Sequence, residues 1–416
     1  MDETAMRRVI ERKREGEALD AATWAATIAS YMDGEIDDAQ MAALLMACVW
    51  RGVDVDEAAA LTRAMVESGA TLKYPDDAFV VDKHSSGGVS DIVSLVAVPL
   101  VASCGVRVAK LSGRALGHTG GTIDKLETIP GFNVMPSMEA FVRQVETIGC
   151  AIAAQTDAFA PADRRLYKLR DRTATVPSVG LIAASIVSKK VASGAKAFVF
   201  DVKCGSGAFM RDADAAAELG QALVDISSRF GRKARAVVTD MSEPLGRAVG
   251  TGIEVIEARD MLRGFAIDPR AREGCLRIAT EMLELAGIGD PHAVAADALE
   301  SGRAYEKFVS MVAAQGGDVP AMEAMTVASP ESEAVAPAAG YITAIDPVAL
   351  GHAARELSCV DPVAGIRVAA RIGERISSGA PLAHVYGSKD RNADIARAFT
   401  IGDDRPRERA LVYAVI

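Results

Sequence analysis

The segment DKHSSGGVSD, residues 82–91, sets Lys83, His84, Ser85 and Ser86 before a glycine pair and closes on Ser90 and Asp91. Charge, hydroxyls and a supple backbone in one place bind oxyanions. Lys83 brings a point charge, and Ser85, Ser86 and Ser94 bring hydroxyl donors. Gly87 and Gly88 let the chain aim N–H groups inward, at the start of a helix whose positive end favours an anion. The order is not that of the triphosphate loop G-x-x-x-x-G-K-[ST], because Lys83 precedes the glycines, nor is it the dinucleotide G-x-G-x-x-G. A plain turn would account for Gly-Gly but not for the Lys-His-Ser before it.

A second loop, LSGRALGHTGGT, repeats the chemistry with Ser112, Thr119 and Thr122 among Gly113, Gly117, Gly120 and Gly121. Two such loops after two strands would converge on one small oxyanion. Free phosphate suits donors arriving from several sides better than a nucleotide tail does. The third constellation is RDRTATVPSVGLIAASIVSKK. Ser185 and Lys189 are four residues apart and share one helix face, with Arg170 upstream. Together they can read the polar edge of a planar ligand, Arg and Lys donating to carbonyls and the Ser hydroxyl meeting a ring N–H. On spacing alone, a solvated Ser-Lys-Lys helix end remains an equal reading.

These residues need a scaffold. Residues 1–70 read as helices, capped by Asp20, by Asp37 or Asp38, and by Asp54 or Asp56, the last ending at Gly69. Residues 71–80 read as a polar, hinge-like connector. VVD (80–82) is strand-like, the first glycine loop follows, and a helix runs from about Asp91. VRVAKLS (106–112), AKAFVFDVK (195–203) and RKARAVVTDMS (232–242) read as further strands, with a helix near 255–265 and a third glycine loop, CGSGAFM, after the second of these strands. Strand, loop, helix, strand is α/β grammar, with ligands at the carboxyl ends of the strands. From about 335 the chain turns to β-type residues and turn glycines, as a small β-rich subdomain would.

The chain has 416 residues and a net charge of −10, which argues against a duplex nucleic-acid partner but leaves room for a small anion in a local basic cluster. Six cysteines lie far apart with no CxxC pair, a pattern of reduced, cytosolic, mostly buried thiols. The N-terminus has no apolar signal region, and no run of about 18 apolar residues marks a membrane span.

SGRALGHTGGTIDKLETIPGF, with KHSSGGVSD before it and LYKLRDRTATV, SIVSKK and FDVKCGSGAFM after it, resembles the thymidine/pyrimidine-nucleoside phosphorylase family over nearly the whole chain. The resemblance implies an α/β fold in three parts. They are a small all-α domain (1–66 and 162–193) for base binding and dimerisation, a larger α/β phosphate-binding domain with a mixed sheet (79–155 and 195–334), and a C-terminal α+β, β-rich subdomain (335–416). It implies a cytoplasmic homodimer that splits pyrimidine nucleosides with phosphate into free base and (deoxy)ribose 1-phosphate. Lys83, Ser85, Ser94, Lys110, Ser112 and Thr122 would hold phosphate. Lys110 matches the broad-specificity bacterial members. Arg170, Ser185 and Lys189 would hold the base, with Phe209 packing on it. His84 would sit between the two sets and give a proton or hydrogen bond to the base O2. His84, Arg170, Ser185 and Lys189 are thus the expected catalytic group. Inorganic phosphate is the co-substrate and no cofactor is required. A monovalent cation, K+, would sit at Ser90, Leu245, Ala248 and Glu257.

The chain also departs from the family pattern. Ser86 and Ser90 stand for Thr and Gly, Ile92 for a hydroxyl residue, Arg172 for an aliphatic one, Pro177 for an acidic one and Gly180 for proline. ELSCVDP stands where the family has a Leu-Gly-Ala-Gly-Arg type of loop. These changes keep two other readings open: phosphorolysis of a modified nucleoside or a nucleoside 5′-monophosphate, and a nucleoside-binding module without turnover.

Overall fold

The computed structural model describes residues 1–416 except Leu116, His118, Thr119, Asp157, Ala266, Ile267, Ala328 and Lys389, so the expected hydroxyl of Thr119 lies outside the described residues. Four helices open the chain: α1 (Glu3–Arg14), α2 (Ala21–Met32), α3 (Asp38–Arg51) and α4 (Val55–Glu67). Each starts on an aspartate, Asp2, Asp20, Asp37 or Asp54, whose carboxylate accepts the backbone N–H three residues on. Asp37 is preferred to Asp38 because Gln40 completes a reciprocal capping box. Met6, Trp24, Ile28, Tyr31, Met41, Leu44 and Leu45 form the bundle core. A buried Lys13–Glu57 ion pair crosses it, with Glu57 also accepting the Leu19 N–H at 3.0 Å.

The chain then alternates. In order come β1 (Val80–Ser85), α5 (Val93–Ser103), β2 (Arg107–Ser112), α6 (Thr122–Leu126), α7 (Met138–Thr147) and β3 (Cys150–Ala154). There follow α8 (Pro161–Arg172), α9 (Val179–Ala192), β4 (Ala197–Cys204), α10 (Ala213–Ser228), β5 (Lys233–Asp240), β6 (Ala248–Val249) and α11 (Thr251–Leu262). The main sheet is mixed. Its order runs from the strand Val412–Val415 through β5, β4, β1 and β2 to β3, the first pairing antiparallel and the rest parallel. β4 is buried along its whole length, as a central parallel strand covered on both faces must be.

β1 is longer than the sequence pattern indicates. Its pairing with β4 continues to Ser85 opposite Asp201, so Lys83, His84 and Ser85 sit on a strand rather than in the glycine loop. Strand alternation then sends Lys83 and His84 to opposite faces of the sheet.

α8 and α9 pack back onto the opening bundle, α9 against α4 and α8 against α3. The chain therefore crosses three times between bundle and sheet. The crossings lie side by side: the Ala70 N–H donates to Ala158 O at 2.7 Å and the Leu72 N–H to Ala192 O at 2.9 Å. Below them, Lys190 of α9 reaches into the sheet, its Nζ 2.7 Å from Asp82 Oδ2 on β1 and 2.9 Å from Leu111 O on β2, with both charged groups fully buried.

Four helices that the sequence pattern left undivided, Pro269–Leu285, Pro291–Glu300, Arg303–Ala314 and Val319–Ala324, complete the α/β part. The first and third of them cover α5, which is why VSLVAVPLVAS is apolar on every side. The tail forms two small sheets with helices Pro347–Ser358 and Asn392–Arg397. The boundary expected at 335 is crossed by pairing in both directions. β6 joins a tail sheet through Gly365–Val368, and Val412–Val415 joins the main sheet.

Candidate active site

A cleft of about 540 Å³ opens where the ends of β1 and β2 face α8 and α9. His84, Ser85, Ser94, Lys110, Ser112, Thr122, Arg170, Ser185, Lys189 and Phe209 all line it. Residues up to 125 positions apart in the chain thus meet in one cleft, with Phe209 exposed at the rim. Lys83 is the exception. It is fully buried behind Ser94, Nζ 3.4 Å from Ser94 Oγ and 3.5 Å from Asp201 Oδ2.

At the loop end, Gly87 takes φ +103°, which only glycine adopts without strain, and a side chain on Gly88 would strike Met241. Ser85 Oγ donates to Asp91 Oδ2 at 2.6 Å, so its hydrogen is committed to a carboxylate and must turn to serve an anion. Burial alone would raise the Asp91 pKa. Lys203, Lys83 and Lys125 outweigh it and, with Ser85, hold the carboxyl ionised well below the usual range. Ser86 Oγ accepts the Lys203 N–H at 2.8 Å and the Ser86 N–H donates to Asp201 O at 3.0 Å, pinning the loop to β4. A threonine hydroxyl could do the same, which accounts for the Thr-to-Ser exchange. Lys110 is buried with Nζ donating to Leu111 O at 3.2 Å. Burial, then Lys190, holds its pKa well below the ordinary lysine value.

At the helical end, Lys189 Nζ lies 2.7 Å from the buried Asp163 Oδ2 and 3.5 Å from Ser185 Oγ, with the Tyr167 ring 5.9 Å away. Arg170 is buried and turned into its own loop. Nε, Nη1 and Nη2 donate to the carbonyls of Thr175, Leu181 and Val176 at 3.2, 3.1 and 2.8 Å. A guanidinium has five N–H groups, so two remain for a ligand. His84 stands between the two ends. Burial, then Lys190, Lys110, Lys189 and Lys83, lowers its pKa well below 6.5, so the imidazole is neutral at pH 7.

Tyr167, Gln155, Ile182, Ile186 and Met210 line the cleft without having been singled out in the sequence. Ile182 and Ile186 were within reach of pattern reading. With Ser185 and Lys189 they form an i, i+3, i+4, i+7 stripe on α9. Of the departures near the helical end, Pro177 lines the cleft and Arg172 is exposed outside it. Gly180 lies where a side chain would strike the Val53 backbone, so the tight packing of α9 on the bundle explains it. Cys359 of the ELSCVDP segment borders a separate cavity of about 340 Å³ behind the second loop. A wider groove of about 920 Å³ beside Tyr413 holds none of the predicted residues.

The four residues expected to hold a cation do cluster. Glu257 accepts the N–H groups of Arg247 and Ala248 at 2.8 and 3.1 Å, and burial raises its pKa to about 7. Ser90 is fully buried at φ +55° and its Oγ has no hydrogen-bond partner. A Cβ at Gly246 would touch both Ser90 Oγ and Glu257 Oε2, which places those oxygens around one spot. The Leu245 carbonyl accepts from Arg371 Nη2 at 3.1 Å and keeps its second lone pair. An orphaned hydroxyl, a carboxylate and carbonyl oxygens are a donor set that fits a hard monovalent cation. Ile92 contributes only apolar packing.

Comparison with known proteins agrees with this arrangement. The family described as "Glycosyl transferase family, a/b domain" matches residues 77–305, and "Glycosyl transferase family, helical bundle domain" matches residues 7–69. A "Predicted membrane protein" family matches residues 301–416, although no helix among the described residues is long and apolar enough to cross a membrane. A thymidine phosphorylase of Mycobacterium tuberculosis is 44% identical over 97% of this chain and 96% of its own length. A thymidine phosphorylase of Rhizobium meliloti is 41% identical over 98% and 97%. A pyrimidine-nucleoside phosphorylase of Geobacillus stearothermophilus is 42% identical over 93% of each. Anthranilate phosphoribosyltransferase from Thermus thermophilus shares the fold, with a TM-score of 0.60 at 23% identity over 74% of this chain and 99% of that one. With a helical bundle, a mixed α/β sheet and near full-length identity above 40%, the chain belongs to the thymidine/pyrimidine-nucleoside phosphorylase family.

Proposed function

We propose that the chain is a pyrimidine-nucleoside phosphorylase, a pentosyltransferase that splits uridine, thymidine or deoxyuridine with inorganic phosphate into base and (deoxy)ribose 1-phosphate. The observation that carries this reading is a single cleft with hydroxyl- and glycine-rich loops at one end, the Arg170–Ser185–Lys189 group at the other, and His84 between them.

Phosphate sits among Ser85, Ser94, Lys110, Ser112 and Thr122, with Lys83 behind. Its oxygen attacks C1′ while the C–N bond to the base breaks, and the sugar becomes oxocarbenium-like. Attack on the face opposite the base inverts that carbon. Negative charge grows on the departing pyrimidine, and the Lys189 charge and the spare N–H groups of Arg170 stabilise it. Ser185 orients the ring. His84 is neutral, so it meets the base O2 as a hydrogen-bond donor rather than as an imidazolium acid. The bundle (1–66, 162–193) and the sheet part (79–155, 195–334) act as two bodies that close about the three adjacent crossings and exclude water.

Ser90, Glu257 and the carbonyls of Leu245 and Ala248 would hold K+, which would supply fixed positive charge beside the turn that follows the first loop. Two copies pair through the bundle, where Trp50 (81% exposed) and Met46 (37%) share one face of α3. Six unpaired cysteines suit the reducing cytoplasm.

Four measurements test these assignments. Purified protein should release uracil or thymine only when phosphate is present, and Lys189→Ala should lower kcat/KM by about 10²–10³-fold. No release from any natural pyrimidine nucleoside, or a preference for a 5′-monophosphate in the same panel, would overturn the substrate assignment. Because the His84 pKa is depressed, its ring proton resonances should stay flat from about pH 8 down through 6.5 in an NMR titration, where an ordinary histidine gains its charge. A midpoint near 6.5 would restore the proton-donor role. The melting temperature should rise in KCl relative to tetramethylammonium chloride at equal ionic strength, and an equal melting temperature in the two salts would remove K+ from the site. Light scattering should give a dimer mass that Trp50→Glu shifts to monomer. A wild-type monomer would refute the pairing.

A further inference from the structure

Lys83 is the one expected phosphate residue that does not face the cleft, and its surroundings suggest how it gets there. Its Nζ lies 3.5 Å from Asp201 Oδ2 and 4.0 Å from Asp91 Oδ2, with Ser94 Oγ at 3.4 Å on the cleft side. Lys203, two residues beyond Asp201 on β4, is also buried and sets its Nζ 2.8 Å from the same Oδ2 atom. Two lysines therefore share one carboxylate oxygen. The Lys203 contact is the shorter of the two and the Lys83 contact the looser. The other oxygen, Oδ1, accepts from Thr239 Oγ1 at 2.7 Å and is anchored independently. Asp91 is secured in the same way by Ser85 Oγ at 2.6 Å and the Val93 N–H at 3.2 Å.

A buried ammonium leaves a buried carboxylate only if another cation stays to balance it. We propose that Lys203 is a positioning residue for phosphate: it keeps Asp201 neutralised, so that Lys83 can leave Asp201 and turn past Ser94 to the incoming anion. Lys203 does not line the cleft and acts through Lys83. Its neighbours suit that duty. Burial opposes its charge, but Asp201 and Asp91 more than offset this and raise its pKa, so Lys203 stays charged throughout. Lys83 is the more loosely held of the two, and the anion takes over its pairing. This inference rests on the reading of the first loop as the phosphate end.

Phosphate affinity of the full-length protein, read by isothermal titration with inorganic phosphate, tests it. Lys83→Met should weaken phosphate by about 10–100-fold, the worth of one charge-assisted contact. Lys203→Met should weaken it comparably, because Lys83 is then locked to Asp201, while nucleoside KM at saturating phosphate is unchanged. Adding Asp201→Asn to Lys203→Met should restore phosphate affinity, since the nearer charge that locks Lys83 is gone and Asp91, 4.0 Å away, keeps its own partners in Ser85 and the Val93 N–H, while the new amide oxygen keeps the anchor to Thr239. A merely structural role for Lys203 predicts instead that nucleoside KM and thermal stability worsen together with phosphate affinity in Lys203→Met. Lys203→Arg, which keeps the charge, should bind phosphate as the wild type does, and it carries the test if Lys203→Met fails to fold. Wild-type affinity in Lys203→Met, or failure of the double variant to recover, overturns the hand-off. Wild-type affinity in Lys83→Met overturns the phosphate reading itself.

Discussion

The buried pair between Asp82 and Lys190 is the constraint on which the site depends. It joins β1, which carries the proposed phosphate residues Lys83 and Ser85, to α9, which carries the proposed base residues Ser185 and Lys189, and each charged group is the immediate chain neighbour of one of those lysines. Asp82 precedes Lys83 and its Oδ1 also accepts the Lys83 N–H at 2.7 Å; Lys190 follows Lys189. Stripping one partner from such a pair leaves an uncompensated buried charge, at a cost of about 3–5 kcal/mol. Pulling the two groups apart inside the protein would strand both charges in the same way, so the contact resists separation. The closure proposed about the three crossings would have to leave Asp82 and Lys190 in contact. That keeps the two ends of the cleft in register while the opening narrows.

The same pair sets the electrostatics. The protein is acidic overall, yet lysines gather in and behind the cleft, and most of them are matched. Lys190 has Asp82, Lys189 has Asp163, Lys203 has Asp201, and Lys125 has Glu254 at 2.5 Å. Lys110 is buried beside Lys190 without a salt-bridge partner among the described residues. A phosphate placed there would supply the missing negative charge. Binding would then favour the charged form of Lys110, so that affinity and protonation reinforce each other. His84 is kept neutral first by its burial and then by the same lysines.

Much of this was legible in the sequence where the signal is local. The aspartate caps, the strand runs and the three glycine-rich loops place the elements within a few residues, and the i, i+4 spacing of Ser185 and Lys189 does put both side chains in the cleft. What the sequence hid depends on partners far along the chain. Lys83 looks like a cleft residue until Asp201, more than a hundred residues later, draws it inward. The end of β1 looks like loop because Lys-His-Ser is a poor strand former, and only pairing with β4 extends it. Arg170 reads as a ligand donor, whereas most of its hydrogen-bonding capacity is spent on a neighbouring turn. Ser90 is a left-handed serine with an unsatisfied hydroxyl, and nothing in its sequence neighbourhood reports that.

The strand Val412–Val415 has a consequence for the order in which the molecule is made. β5 is an inner strand only because this late segment covers its outer edge, and Tyr413 then bonds Asp240 across a separation of 173 residues. A ribosome delivers β5 long before its cover. During that interval the nascent sheet presents an open row of N–H and C=O groups, the kind of edge that pairs with other chains. Residues 232–242 begin RKAR, and positive charge at the entrance of an open strand is of the kind that discourages such pairing.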